Sequence, residues 1–384
     1  MTAPRTPPGA SRAVLALAVA GVLAGAVAVS LGGEPKDLSV YQWGGRAVLD
    51  GVSPYSRHDP ATGLPFTYPP FAAVLMVPLA LLPSGIAVAL WTGASAGALG
   101  ATVAVVRRAL GRPSPTRLLV LLGVAALALE PVWQNLAFGQ VNLILMVVVL
   151  ADVLHPARRL SGVALGIVAG VKLTPLVFVL LLVVVGRRVA AVRAMVAFVL
   201  TVVIGLVAVP GSSSYWTDRL LDPSRVGPPA LAHNQSVEGA LTRLLDAPPS
   251  TSLWLATAGP VALAVLAVAA GRWRRGEPVL GTCLAALAML LASPVAWSHH
   301  WVWAVPVALV LWEGSRWAAG AWVAVFVTRP ILWPPWGEGR ELGWNAAEHL
   351  VGNAYLLAAV AVVVWVARQR RILPVDVRDV GALN

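Results

Sequence analysis

Long apolar runs separated by short polar intervals follow one another along most of this chain. Residues 143–150 read LILMVVVL and residues 176–185 read LVFVLLLVVV, with no alternation of apolar and polar positions. The strands of a membrane barrel alternate apolar and polar residues, whereas a membrane helix can be apolar on every side. The pattern therefore predicts an all-α, polytopic integral membrane protein with about twelve transmembrane helices.

The composition agrees with a membrane protein, and the distribution of charge argues against a nucleic-acid binder. Of the 384 residues, 58% are hydrophobic and 12% are charged, and the mean hydropathy is +0.78. A soluble domain has about 25% charged residues. The net charge of +11 would suggest a nucleic-acid binder, but the arginines cluster beside the apolar runs, so we expect no nucleic acid partner. The single cysteine, Cys283, lies in an apolar run and is interpreted as a small core residue.

The positions of the arginines predict which helix ends face the cytoplasm. Arg5 and Arg12 precede the first apolar run, 13–31, which is longer than the usual core of a signal peptide, so we expect a retained helix and a cytoplasmic N-terminus. The arginines at the ends of the later runs predict that these helices alternate in direction and that the C-terminus is also cytoplasmic. The runs interpreted as single crossings are 84–106, 118–131, 140–154, 190–209, 251–271, 279–293, 300–312, 316–328 and 349–367. We expect one domain, 1–384, with outer loops at about 32–83, 210–250 and 329–348 and a cytoplasmic tail at 368–384.

Two apolar runs do not fit a single crossing. If the short, proline-rich residues 69–83 crossed, the next helix would deliver Arg107 and Arg108 to the outer side, so we predict an interfacial helix there. Residues 160–186 have basic residues on both flanks, which predicts two short helices with a break at 172–175 near the outer side. Twelve of the 17 acidic residues then fall in outer segments, although the acids were not used to assign the topology.

Candidate functional residues concentrate in the segments assigned to the outer face. Asp37 lies just beyond the first helix, where a carboxylate can act as a general base or can be a solvated acid beside Lys36. Gln140 and Asn142 lie at a turn between two helices, where amides can bind a hydroxyl-rich ligand or cap a helix start. His233, in the second outer loop, is followed by two further amides, Asn234 and Gln235.

Lys172 and the pair His299–His300 are the ionisable groups nearest to the membrane interior. A lysine in so apolar a run is costly, which favours an anionic lipid headgroup as its partner, although snorkelling to the interface is the alternative. Adjacent positions on a helix diverge, and neither an HxxxH spacing nor a cysteine partner accompanies the histidines, so no metal is expected. Hydrogen bonding to a phosphate is favoured for the histidines, with a polar cluster inside an aromatic belt as the alternative.

Five motifs occur in order along the predicted outer face. They are Asp37 with Val40-Tyr41 and the segment Phe66-Thr67-Tyr68-Pro69-Pro70-Phe71, then Gly139-Gln140-Val141-Asn142, then Gly170-Val171-Lys172-Leu173-Thr174-Pro175, then Asn234-Gln235-Ser236, then Ser293-Pro294 with His299-His300. Together they resemble glycosyltransferase family 87, which comprises actinobacterial integral-membrane mannosyltransferases of the GT-C type. Each motif alone is weak, but five in this order on one membrane face are fairly specific.

The resemblance implies a membrane enzyme that moves mannose from polyprenyl-phosphate-mannose to a mannosylated phospholipid on the outer leaflet of the plasma membrane. It implies α-1,2 transfer with inversion at the anomeric carbon, with Asp37 as the base and no metal or cofactor. Lys172, His299 and His300 would stabilise the leaving phosphate. The residues assigned to the sugar or the acceptor are Tyr41, Tyr68, Gln140, Asn142, Asn234 and Gln235. Membrane lipids are the remaining expected partners, and the oligomeric state stays open.

Three other functions remain open at this point. A secondary transporter would show interrupted helices in two related halves, and only the break at 172–175 fits that pattern. A flippase for lipid-linked glycans is closer, because it would also bind a lipid phosphate and sugars, and an enzyme with another donor sugar is a further alternative. A flippase should tolerate Asp37→Asn, whereas a transferase should still bind donor but not turn over.

Overall fold

The structure is a computed structural model that describes residues 8–33, 35–155, 159–220 and 222–373. Arg5, Arg158 and residues 374–384 of the predicted tail lie outside the described residues. Throughout the described ranges the regular structure is helical, and the only β pairing is two isolated bridges, His58 with Pro65 and Asn234 with Trp297. The expected all-α class is confirmed.

Eighteen α-helices are present within these ranges. The first nine are α1 Pro8–Ser30, α2 Lys36–Leu49, α3 Pro70–Leu75, α4 Val77–Ala80, α5 Ser84–Ala109, α6 Thr116–Ala126, α7 Glu130–Phe138, α8 Asn142–Val153 and α9 Val163–Val171. The others are α10 Leu176–Val184, α11 Arg188–Ala208, α12 Val237–Leu244, α13 Thr251–Arg274, α14 Pro278–Ala292, α15 Ala304–Gly314, α16 Arg316–Thr328, α17 Ala346–Gly352 and α18 Ala354–Arg368. A 3-10 segment, Ser298–Trp303, leads into α15.

Several helices are apolar and long enough to cross a bilayer. Four pass by length and composition: α1, α5, α11 and α13. Two bent pairs also pass when each is taken together, α6 with α7 at 81° and α17 with α18 at 72°, which gives up to six. The helices α8 and α14 are apolar but shorter. A chain with this many apolar helices has the character of an integral membrane protein.

The interval predicted as the first outer loop, 32–83, contains three helices. The amphipathic helix α2 buries Tyr41 on one side, and the proline-rich stretch predicted as one interfacial helix at 69–83 forms two short helices, α3 and α4. Rings of the loop pack together, with 5.9 Å between the Tyr55 and Phe66 centroids and 5.1 Å between those of Tyr41 and Tyr68. This aromatic packing gives the polar interval after α1 a fixed conformation.

The basic helix ends and the Asp37 loop lie at opposite ends of α1. At its start, the Gly9 carbonyl accepts a hydrogen bond of 3.1 Å from the Thr116 hydroxyl. Nearby in sequence, Arg107 and Arg112 form ion pairs with Glu313 at 3.4 and 3.1 Å. The other end of α1 leads directly into α2. Arg107 and Arg112 therefore lie towards the end of α1 that is away from Asp37.

The run at 160–186 is interrupted as expected. Helix α9 ends at Val171 and α10 begins at Leu176, and Lys172 between them has an extended backbone with φ −148° and ψ 127°. Each helix has nine residues, which corresponds to about 14 Å of length. A hydrocarbon core is about 30 Å thick, so each helix is shorter than the core and the break between them can lie at membrane depth.

Candidate active site

The turn between α7 and α8 brings Gln140 against α2. Gly139 ends α7 with a φ of 67°, a left-handed conformation that glycine adopts without strain. A Cβ atom at this position would also crowd the side chains of Leu38 and Pro35. Glycine therefore allows the chain to reverse close to the start of α2, where Asp37 lies.

Gln140 is the centre of a buried hydrogen-bond cluster. Its side-chain oxygen accepts bonds of 3.1 Å from the hydroxyls of both Tyr41 and Tyr68, which lie 2.8 Å from each other. With the oxygen occupied by tyrosines, the amide NH2 group donates to the carboxylate of Asp37. The sequence motifs around Asp37, Tyr41, Tyr68 and Gln140 thus meet in one place.

Asp37 is a half-buried carboxylate in the first turn of α2. Burial raises its pKa from 3.8 to about 6, while the hydrogen bond from Gln140 and the positive charges of Lys172 and Lys36 oppose that rise. A carboxyl group with a pKa near 6 is mostly ionised at neutral pH and is still basic enough to accept a proton. Asp37 is therefore suited to general-base chemistry.

Asn142 links Lys172 to the histidine segment. Lys172 donates a hydrogen bond of 2.9 Å to the Asn142 side-chain oxygen, and the Asn142 amide donates to Asn135 at 3.1 Å and to the His299 carbonyl at 3.2 Å. No side-chain cap is formed at the start of α8, where Val141 is the N-cap residue, so the capping alternative does not describe Asn142. Lys172 likewise turns towards Asn142, inside the protein.

A cleft opens beside this network, with a polar end and an apolar wall. Asn142, Lys172, Ser293 and His300 lie at the polar end. The wall is formed by apolar side chains from α8, α10, α14 and the 3-10 segment, among them Leu145, Met146, Val149, Phe178, Met289 and Trp303. The cleft offers cationic and hydrogen-bonding groups next to a surface suited to a hydrocarbon chain.

The two histidines lie at different depths. The His299 and His300 rings are nearly perpendicular, at 87°, with 4.7 Å between centroids. His299 is buried and its Nε2 has no hydrogen-bond partner among the described residues, whereas His300 is half-buried and lines the cleft. No group of three or more His, Cys, Asp or Glu side chains that could hold a metal ion occurs in the described parts of the chain.

Asn234 and Gln235 make contacts that tie together segments far apart in the sequence. Asn234 is fully buried, and its side-chain oxygen accepts bonds from the Ala296 N–H at 3.0 Å and the Ser236 hydroxyl at 2.9 Å. The Gln235 side chain donates to the Gly352 carbonyl at 2.7 Å and accepts from the Tyr355 N–H at 3.2 Å. The structure does not place either amide in the hydrogen-bond cluster around Gln140.

Sequence reasoning missed Glu130, the first residue of α7. Its side chain is buried, and it accepts hydrogen bonds from the Ser298 hydroxyl at 2.8 Å and the Tyr355 hydroxyl at 3.1 Å. Glu130 thereby fixes the residue before His299 against α7 and α18. The sequence contained one indication, because Glu130 is an isolated acid at the end of an apolar run. Such an acid can mark a functional or assembly site in a membrane protein.

Comparison with known proteins gives a family match over the region that contains most of these residues. The sequence model described as glycosyltransferase family 87 matches residues 66–294. Two similar proteins from Mycobacterium tuberculosis are named as polyprenol-phosphate-mannose-dependent α-(1-2) mannosyltransferases. The one named for phosphatidylinositol pentamannoside is 34% identical, over 93% of this chain and 87% of its own length. The one named for phosphatidylinositol mannoside is 36% identical, over 90% of this chain and 88% of its own length.

A third relative comes from Mycolicibacterium smegmatis. It is also named for phosphatidylinositol pentamannoside and is 32% identical over 93% of this chain and 91% of its own length. No solved structure matches the chain at a significant level.

Proposed function

The chain belongs to glycosyltransferase family 87, and on this premise we propose that it transfers mannose from polyprenyl-phosphate-mannose to a hydroxyl group of a phosphatidylinositol mannoside. The product is an α-1,2-linked mannoside formed with inversion at the anomeric carbon. The names of relatives that align with nearly the whole chain support the donor and the acceptor class. The convergence of Asp37, Lys172 and His300 around Gln140 and Asn142 is the structural observation that carries the proposal.

The proposed reaction begins with the acceptor hydroxyl at Asp37. As the acceptor oxygen attacks the anomeric carbon of the donor mannose, the hydroxyl proton passes to the Asp37 carboxylate. The bond between the anomeric carbon and the phosphate oxygen breaks on the opposite face, and polyprenyl phosphate leaves with the bonding electrons. Asp37 then returns its proton to water. Tyr41, Tyr68 and Gln140 keep the carboxylate in place and have hydroxyl and amide groups suited to a sugar.

We propose that the cleft holds the donor. Lys172 and His300 lie at its polar end, where they would stabilise the charge that develops on the leaving phosphate. The apolar wall from Leu145 to Trp303 suits the polyprenyl chain. His299, behind His300, would orient the pair through its ring contact, and it needs no metal for that role. Asn234 and Gln235 would act on the acceptor through the segment they hold and not by direct contact.

We also propose a plasma-membrane topology of twelve passes with both termini in the cytoplasm and the active site on the outer face. The long helices α1, α5, α11 and α13 and the bent pairs provide up to six passes, and shorter helices, including α8, α14, α15 and α16, provide others. The helices α9 and α10 make up two of the twelve passes, out from the cytoplasmic side and back to it, with Lys172 at the break between them. The separation of Asp37 from the basic helix ends along α1 supports this orientation.

The proposal is tested by a transfer assay in membranes with polyprenyl-phosphate-mannose and a panel of mannosylated phospholipids. Wild type should transfer mannose, and Asp37→Asn should bind donor normally and turn over at least about 100-fold more slowly, the usual scale of a lost general base. Asp50→Asn, which changes an exposed acid in the same loop, is the matched control and should stay active. Lost donor binding in Asp37→Asn would contradict the base assignment, and lipid translocation without transfer would identify a flippase.

A further inference from the structure

A second cavity lies at the opposite end of α8 from the candidate active site. It opens between the end of α10 and the start of α11. Its lining residues are Ser161, Gly186, Arg187, Arg188, Val189, Ala190 and Arg193. Helix α8 has twelve residues and spans about 18 Å, with Asn142 at the active-site end and Val153 at the cavity end. The cavity is therefore separate from the site that holds Asp37 and Lys172.

Arg187 forms the floor of this cavity and is held by the protein. It donates hydrogen bonds of 2.5 Å to the Val153 carbonyl and 2.7 Å to the Ser161 hydroxyl, and its guanidinium lies 5.9 Å from the ring of Trp273. The nearby Asp152 carboxylate is used by backbone groups, since it accepts from the Gly162 N–H at 2.9 Å. The Asp152 carboxylate is thus already hydrogen-bonded.

The other two arginines have unused guanidinium groups. Arg188 and Arg193 are exposed, and neither forms a salt bridge within the part of the chain that the structure describes. Both lie on α11 and line the same cavity. Arginine forms bidentate hydrogen bonds to phosphate, so two free guanidinium groups above a third that is fixed make a surface suited to a phosphate group.

Apolar side chains surround the cavity on the side that faces away from the protein. Leu160, Val189 and Val192 are 71%, 64% and 61% exposed. Val189 and Val192 begin an exposed apolar face that continues along α11, one of the helices that is long and apolar enough to cross a bilayer. A position where exposed apolar residues give way to arginines is at the depth of lipid headgroups.

We propose that this cavity binds the phosphate of an anionic phospholipid headgroup, with Arg188 and Arg193 as its ligands and with the acyl chains against the exposed face of α11. Arginines that only orient a helix need not meet in a cavity, whereas these do. The site lies on the membrane side opposite to Asp37, so its lipid is neither the mannose donor nor the acceptor. The inference does not rest on the transferase activity.

The test measures lipid binding by the purified, delipidated full chain. The probes are short-chain phosphatidylglycerol, short-chain phosphatidylcholine and inorganic phosphate. The pocket variant is Arg188→Gln with Arg193→Gln, and the matched control is Arg12→Gln with Arg117→Gln, which removes the same charge from two exposed arginines outside the cavity. Thermal unfolding of each variant confirms that it is folded.

We expect wild type and the control to prefer phosphatidylglycerol to phosphatidylcholine, and the pocket variant to bind phosphatidylglycerol at least about tenfold more weakly. Equal affinity of the pocket variant and wild type would overturn the proposal, as would an equal loss in the control, which would indicate a general charge effect. Binding of inorganic phosphate as tight as that of phosphatidylglycerol would reject a lipid as the ligand. Mannose transfer is not measured, so the result is independent of the proposed enzyme function.

Discussion

At the scale of single residues, the surroundings of Asp37 connect its proposed role with the stability of the protein. A pKa raised from 3.8 to about 6 means that the folded protein binds this proton more tightly than the unfolded chain does. The contribution of this proton to the free energy of unfolding is complete below pH 3.8 and is lost as the pH rises through about 6. At neutral pH the ionised carboxylate therefore lowers the free energy of unfolding.

Two measurements follow from this shift. As a base, Asp37 must be ionised, so kcat/KM should fall as the pH is lowered through about 6. At pH 7.5, Asp37→Asn should be inactive yet raise the free energy of unfolding by about 1–3 kcal/mol, because the cost of a half-buried charge is removed. Asp50→Asn, an exposed control, should change neither quantity. A lower free energy of unfolding for Asp37→Asn than for wild type would contradict burial as the cause of the raised pKa of Asp37.

The chain has two lysines, which provide a matched pair of substitutions. Lys172→Ala removes the donor of the 2.9 Å hydrogen bond to Asn142 and the positive charge at the polar end of the cleft. We expect it to weaken binding of polyprenyl-phosphate-mannose by about 10- to 100-fold, the usual value for a charged hydrogen bond. Lys36→Ala, at an exposed position, should change it by much less. Unchanged donor affinity in Lys172→Ala would reject the phosphate role.

At the scale of elements, Asn234 joins the second outer loop to the segment before the histidines. In Asn234→Ala the buried N–H of Ala296 loses its acceptor, which should cost about 1–3 kcal/mol of unfolding free energy, whereas the Ser236 hydroxyl can still donate to the Pro294 carbonyl. Asn345→Ala removes an exposed helix cap and should cost about 1 kcal/mol. Measurements of thermal unfolding and of the KM for the acceptor distinguish a structural role of Asn234 from direct sugar binding. A large rise in KM with unchanged stability would favour direct sugar binding.

The elements also show what the sequence could predict. The break between α9 and α10 followed from a lysine and a proline inside a run with basic flanks. Helix α2 was harder to define, because its glycines and polar residues hide an amphipathic helix that becomes stable only when Tyr41 packs on the loop aromatics. Gln140 was identified as a candidate, but its position between two tyrosines depends on the αL turn at Gly139 and on contacts across 99 and 72 residues.

At the scale of the whole molecule, the arrangement of charges predicts its orientation in the membrane. With the buried Cys283 replaced by alanine, single cysteines at Asp50→Cys and Arg112→Cys would lie at exposed positions on opposite sides. A membrane-impermeant maleimide should label the first in intact cells and the second only after permeabilisation. Labelling of both cysteines, or of the second alone, in intact cells would contradict the topology.

The whole molecule also shows why Glu130 was not predicted. Its partners Ser298 and Tyr355 are 168 and 225 positions away in the sequence. No local pattern of apolar and polar positions contains such a relationship. Short-range motifs could identify groups for acid–base and phosphate chemistry. The carboxylate that fixes the residue before His299 became visible only when α7, the histidine segment and α18 were placed together.

The bond from Tyr355 to Glu130 has a consequence for biosynthesis. Tyr355 belongs to α18, the last described helix, whereas Asp37 lies on α2, the second. During translation the Glu130 carboxylate cannot accept the hydrogen bond from Tyr355 until more than nine-tenths of the 384 residues have been made. A chain that ends before α18 would carry Asp37, Lys172 and His300 but lack the hydrogen bond from Tyr355 to Glu130, so we expect truncated products to be inactive as transferases.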